Sequence, residues 1–269
     1  MATLSVIEAE GTHFGLMVDA YEKGRKPFDP AIFQWIASFT KGTSTIVDVG
    51  CGTGRGTMGL VELVDSDTSI IGVDIDARML EVARKKESLQ SVQFLTGPIG
   101  DLPQLLPVSS QPVSIITCFS TVHWLHPSDF AAIHSTLAVD GYFITIGGGG
   151  SSSTGERGHL GGLKRLIATV LQKEIVHRPA KIQDEIIAAG FVLAQTFVAE
   201  QEQCYQLTEL LHEIQSYSFW IELTKEEQQQ AWPHVEAAVR DHLIPEEDGI
   251  FKLSRSTRCY AYQKSSSTI

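Results

Sequence analysis

The chain has 269 residues, of which 43% are hydrophobic and 20% charged, and its net charge is −11. This is the profile of a globular protein with one large α/β domain or two small ones, and no apolar run approaches the roughly 18 residues that span a bilayer. The acidic balance argues against a nucleic-acid partner, which calls for a basic face opposite the phosphates.

Strand-length apolar runs recur at 44–49 (STIVDV), 69–74 (SIIGVD), 91–96 (SVQFLT), 112–119 (PVSIITCF) and 141–147 (GYFITIG). Segments with apolar residues at intervals of three and four lie between them: TGRGTMGLVELV, ARMLEVARKK and SDFAAIHSTLA. Continuous apolar strands alternating with helices predict a doubly wound, mostly parallel sheet covered on both faces. After Gly147 a glycine- and serine-rich connector leads to an amphipathic helix, HLGGLKRLIATVLQKE. A second helix ends at Gly190 and a strand follows it. TELLHEIQSYSFWIEL and TKEEQQQAWPHVEAAVRDHL read as helices, the latter interrupted or restarted at Pro233. FKLSRSTRCYAYQK alternates like an antiparallel edge strand, and 265–269 reads as a frayed tail.

The expected organisation is a single α/β domain over 1–269 with seven strands. Its core occupies 12–150, helical cap segments 151–180 and 206–245, and closing strands 190–205 and 251–264. Cys51, Cys118, Cys204 and Cys259 are scattered without a CxxC pair, so neither a metal site nor a disulfide framework is expected. The start, MATLSVIEAEGTHF, lacks the basic and apolar regions of a secretory signal, and a reducing cytoplasm is the expected setting.

The most informative stretch is IVDVGCGTGRGT, residues 46–57, with glycine at 50, 52, 54 and 56 directly after an apolar strand. Such a turn lets backbone approach a ligand. The dinucleotide pattern GxGxxG fails, because its third glycine position is Arg55 or Thr57. The phosphate loop fails too, because no lysine follows Gly56. What remains is Asp48 before the first glycine and Asp74 at the end of the next strand. An acid beside the loop suits a ligand with an ammonium group, and one at the next strand end suits vicinal ribose hydroxyls.

The order D-V-G-C-G-T-G, followed by VDIDARMLEVARKK, resembles the class I S-adenosylmethionine (SAM)-dependent methyltransferases, and implies SAM as cofactor. By that resemblance Asp48, Gly50, Gly52 and Gly54 form the cofactor loop, Asp74 holds the ribose, and Ile75 and Met79 flank the adenine. QFLTGPIGDLP resembles the family's third segment, with Pro98 in place of its acid, which leaves Gly97 and the backbone at Ile99 as adenine contacts. CFSTVHWLHP and AYEKGRKPFDPAIFQWI resemble the small-molecule branch similar to trans-aconitate methyltransferases, with Phe28 replacing a tyrosine. The same resemblance implies Tyr21 and Arg25 closing over the cofactor's methionine end, and Phe119 among the cofactor-binding residues.

His123 and Trp124 follow the fourth strand, where parallel sheets open their ligand crevice, so they are candidate substrate contacts. His123 is also the candidate catalytic base. The fourth strand ends in CFST and not in the [DNS]-P-P-[YF] of amino-group methylating enzymes, so oxygen is the expected acceptor atom. Six basic residues, Arg157, Lys164, Arg165, Lys173, Arg178 and Lys181, form either a solvated helix face or a clamp for an anionic small molecule, with Arg157 the first choice for substrate contact. Two rivals stand beside methyl transfer: a SAM-binding protein that transfers nothing or catalyses a rearrangement, and an NAD-dependent oxidoreductase.

Overall fold

A computed structural model describes residues 17–42, 44–111, 113–147, 158–173 and 179–265. Among these, α1 (Val18–Gly24) and α2 (Pro30–Ala37) precede β1 (Thr45–Val49), α3 (Arg55–Leu63), β2 (Ser69–Asp74), α4 (Ala77–Lys85) and β3 (Gln93–Thr96). Then come α5 (Leu102–Leu105), β4 (Val113–Phe119), α6 (Pro127–Thr136) and β5 (Leu137–Ile146). The rest comprises α7 (Leu160–Val170), α8 (Pro179–Ala188), β6 (Phe191–Tyr205), α9 (Leu207–Gln215), α10 (Ser218–Ile221), α11 (Lys225–His242) and β7 (Phe251–Lys264). The strands form one seven-stranded sheet in the order β3-β2-β1-β4-β5-β7-β6. β1 to β5 are mutually parallel and β7 runs antiparallel to both of its neighbours. The doubly wound α/β architecture expected from the alternating runs is therefore present.

Every residue of β1 is buried, as a strand covered on both faces requires. On one side Val47, Val49, Ile116, Phe130, Ile133 and Phe143 make one core; on the other, Ile32, Ile36, Ile46, Leu60 and Ile115 make a second. α4 begins where the Asp76 carboxylate accepts the Arg78 N–H, and it buries Met79, Leu80 and Ala83. α6 starts with Pro127 at its first turn and a capping box from His126 and Asp129.

A third core lies apart from the sheet faces: Leu163, Ile167, Tyr205, Leu210, Ile214, Trp220, Val235 and Val239, from α7, the end of β6, and α9 to α11. Its position follows from strand register. β5 ends at Ile146, which pairs with Cys259, whereas the β6–β7 ladder continues from Arg258 back to Phe251. At roughly 3.4 Å per residue that hairpin projects well past the carboxyl ends of the parallel strands. It carries the third core with it, as a cap over the crevice where such sheets bind ligands.

Two expectations change in detail. α11 runs unbroken from 225 to 242 with Pro233 inside it. The missing N–H would have bonded the carbonyl of Gln229, an exposed residue that water can serve, while Val235 and Val239 anchor the following turns in the cap. β5 starts at Leu137, inside the segment read as the end of a helix, because the chain passes straight from α6 into extended backbone.

Candidate functional site: a glycine cradle beneath a helical cap

The loop from β1 to α3 turns on three glycines in left-handed backbone: Gly50 at φ +63°, Gly52 at +55° and Gly54 at +79°. A side chain at Gly52 would be strained by φ alone, and its Cβ would stand 3.2 Å from the Met79 Cε. The Gly52 N–H donates to Asp74 Oδ2 at 2.7 Å, and the Asp76 N–H donates to Asp74 Oδ1 at 2.9 Å. The half-buried Asp74 carboxylate is thus fixed between the loop and the start of α4, each oxygen keeping a lone pair for another donor. Burial raises its pKa to about 6, with the Asp76 and Gly52 N–H groups opposing that rise.

Asp48 lies underneath this loop. It is wholly buried, with Oδ2 accepting from Thr57 at 2.6 Å and Oδ1 from Thr117 at 2.9 Å. Burial pushes its carboxyl up to about 7, against the two threonine hydrogen bonds. It ties the first turn of α3 to β4, so its part in the site is to hold the loop from below. That differs from the expectation of an acid attracting a cation directly, and burial is the reason.

The other cofactor candidates surround the cradle. Ile75 is half-buried beside Asp74, and Met79 is buried with its tip against Gly52. Gly97 donates its N–H to the Asp74 carbonyl at 3.0 Å, which brings Pro98 and Ile99 to the same rim, both half-buried. The Phe119 ring belongs to the core, packed on Phe28 and Phe33, and its carbonyl accepts from Thr121, which also bonds the Gly50 carbonyl. Arg55, the one basic residue of the loop, donates to the Arg25 carbonyl. A turn of side-chain-free residues beside a fixed acid at the next strand end, with Arg55 held by the Arg25 carbonyl, fits SAM better than a dinucleotide.

Above the cradle, α1 docks on the cap helix α9. A Cβ at Gly24 would stand 2.2 Å from the Glu213 backbone N, so only glycine permits this approach. Arg25, at the end of α1, reaches Glu213 at 3.3 Å, donates to Ser216 Oγ at 2.8 Å, and lies over the rings of Tyr21 and Tyr217 at 5.6 and 5.4 Å. Glu213 is fully buried and neither of its oxygens has a hydrogen bond. The Lys164 ammonium lies over the same Tyr217 ring at 5.7 Å. Burial and Arg25 lower its pKa to about 8, with Glu213 opposing.

His123 follows β4 in the turn Val122–Trp124, its ring 5.0 Å from that of Trp124. Its Nδ1 is buried without a partner. Burial, then Lys164 and Arg25, push its pKa down to about 4, so the imidazole is neutral at physiological pH.

Residues 46–141 match the family described as "Methyltransferase domain". Over this segment, β1 to the start of β5, the chain is similar to methyltransferases. The chain is 30% identical over 129 residues to a probable S-adenosylmethionine-dependent methyltransferase, CRG1, of Saccharomyces cerevisiae, covering 46% of this chain and 42% of that one. It thus spans about four tenths of the length of the curated relatives it matches. A proposed type II methyltransferase from Anaeromyxobacter dehalogenans superposes with a TM-score of 0.62 at 14% identity, covering 90% of this chain and 98% of that chain. The [4+2]-cyclase SpnF superposes at 0.57 and 12% identity, covering 98% of each. These superpositions concern the fold alone.

The fold brings together most of the residues singled out in the sequence. Arg157 and Arg178 lie outside the described residues. Of the remaining basic stretch, Lys181 pairs with Glu185 at 3.7 Å and is largely exposed, while Lys164 turns into the cap. Glu213 and Tyr217 were not anticipated. The signal was present: with Leu210 and Ile214 they share one helical stripe at spacings of three, four and seven, so an acid stood on the buried face.

Proposed function

We propose that this chain is a SAM-dependent methyltransferase that transfers methyl to an oxygen of a small, anionic acceptor. The Gly52 N–H bound to the Asp74 carboxylate carries this reading, because it joins a side-chain-free turn to a fixed acid at the crevice of the parallel sheet. Asp74 would hold the ribose hydroxyls, Ile75, Met79, Gly97, Pro98 and Ile99 the adenine side, and the backbone of Gly50, Gly52 and Gly54 the amino-acid side. Tyr21 and Arg25 would close over the methionine end. In this reading 12–150 serves the cofactor and the cap segments 151–180 and 206–245 roof the acceptor. A reducing cytoplasmic setting accords with four free cysteines.

Bound SAM supplies an electrophilic methyl group on a sulfonium. The protein's contribution is chiefly position: an acceptor oxygen held in line needs little further help. Trp124 would pack against the acceptor and the neutral His123 would take a proton from it. A cap that excludes water strengthens charge pairing inside it.

The resemblance to SpnF leaves the chemistry open at the level of fold, so products decide between transfer and rearrangement. Calorimetry with SAM and with NAD, followed by incubation with methyl-labelled SAM and a panel of acids, phenols and amines, tests the proposal. It predicts micromolar SAM binding, no NAD binding and label in an oxygen acceptor. NAD binding in place of SAM, or label only on amines, would refute it.

A further inference from the structure

Inside the cap two cations, Arg25 and Lys164, face one buried carboxylate, Glu213. Arg25 has its counter-ion in Glu213 and its hydrogen bonds in Ser216. Lys164 has neither: among the described residues its ammonium makes no ion pair or hydrogen bond, and it lies over the Tyr217 ring. A half-buried ammonium with no anion in direct contact is costly, and an incoming carboxylate relieves that cost. His123 presents a different kind of vacancy. Its buried, unpartnered Nδ1 belongs to a neutral ring, which exchanges a hydrogen bond with a hydroxyl but offers no charge to a carboxylate.

Building on the proposed methyl transfer, we propose that the acceptor is a hydroxy acid, held by its carboxylate on Lys164, with the hydroxyl to be methylated at His123. The carboxylate is the handle and the hydroxyl the nucleophile. As the hydroxyl oxygen forms its bond to the methyl carbon, its proton passes to His123 Nδ1. The electron pair of the broken carbon–sulfur bond remains on sulfur, and His123 later returns its proton to water. The two halves reinforce each other. Lys164 is one of the two charges that depress the His123 pKa, so a carboxylate on Lys164 offsets that charge and makes the imidazole more basic. The acid handle thus prepares the base. The half-buried Trp124 ring suits a flat acceptor as well as an aliphatic one.

The test is calorimetry on the full chain saturated with S-adenosylhomocysteine, using 4-hydroxybenzoate and malate, their amides, and the deoxy acids benzoate and succinate. At least one hydroxy acid should bind at least tenfold more tightly than its amide. Lys164→Met should reduce that acid to the affinity of its amide, Lys164→Arg should restore most of the difference, and SAM affinity should stay within about twofold in both variants. With labelled SAM the hydroxy acid should yield a base-stable methyl ether, while the deoxy acids bind but accept no methyl. Equal affinity of acids and amides, including no measurable binding of either, overturns the proposal. So does full affinity in Lys164→Met, or release of the label as methanol in base, which marks a methyl ester. Failure of SAM itself to bind would instead remove the methyltransferase reading.

Discussion

The backbone N–H of Gly52 and the carboxylate of Asp74, 22 positions apart in sequence, meet at 2.7 Å across the mouth of the sheet. This contact fixes the acid at the crevice, where the proposed ribose would lie. Asp74→Ala removes two prospective charge-assisted hydrogen bonds, each worth about 1.5–3 kcal/mol. SAM affinity measured by calorimetry should fall by tenfold or more. Asp74→Asn should fall between the two. Wild-type affinity in Asp74→Ala would remove this residue from the site.

Gly52→Val should abolish SAM binding. Left-handed backbone at φ +55° costs a non-glycine residue about 1–2 kcal/mol, and a branched side chain is worse placed still. Its first carbon already presses on Met79 at 3.2 Å. Circular dichroism should show an intact fold, so lost binding would be local. A folded variant that binds SAM normally would show that the loop does not face the cofactor.

Arg25 is the ion-pair partner of the buried Glu213, 3.3 Å away. Arg25→Met should leave Glu213 buried and uncompensated, destabilising the fold by about 3 kcal/mol in urea titrations. The double variant Arg25→Met/Glu213→Leu should recover most of that loss, because both charges then leave together. Equal destabilisation in the single and double variants would show that lost packing, and not the stranded charge, is responsible.

Asp48 makes stability depend on pH. Its pKa is about 7 when folded and near 3.9 when unfolded, so the unfolded chain releases the proton first. The stability associated with the protonated form is complete below about pH 4 and is lost as pH rises towards 7. Asp48→Asn should flatten this slope, and the wild-type-to-variant difference between pH 4.5 and 8 should amount to a few kcal/mol. An unchanged slope would mean that Asp48 is ionised throughout.

Local chemistry was readable in the sequence, and long-range compensation was not. The glycine spacing and Asp74 identify the cradle because a strand, a turn and the next strand end are joined by one crossover. β2 and β7 begin and end where their apolar patterns do. The cluster of Arg25, Lys164 and Glu213 is different, since its members come from three distant segments. Charge runs usually mark solvated faces, and Lys181 does so, yet Lys164 in the same run turns inward. Its place on the stripe of Leu160 and Ile167 was the clue, outweighed by its charge. Asp48 was legible as part of the loop, but its downward orientation depends on Thr57 and Thr117, which only the folded sheet brings to it.

The strand latest in sequence, β7, lies between β5 and β6. As the chain is synthesised, β1 to β5 can align before β7 exists, but β6 has no place in the sheet until β7 fills the gap. The half that would bind cofactor can therefore assemble while the cap still lacks its supporting hairpin. Folding in this order separates two events that operate together in the finished protein. Truncation within 251–264 should consequently release β6 and the cap as one unit and leave the cradle standing.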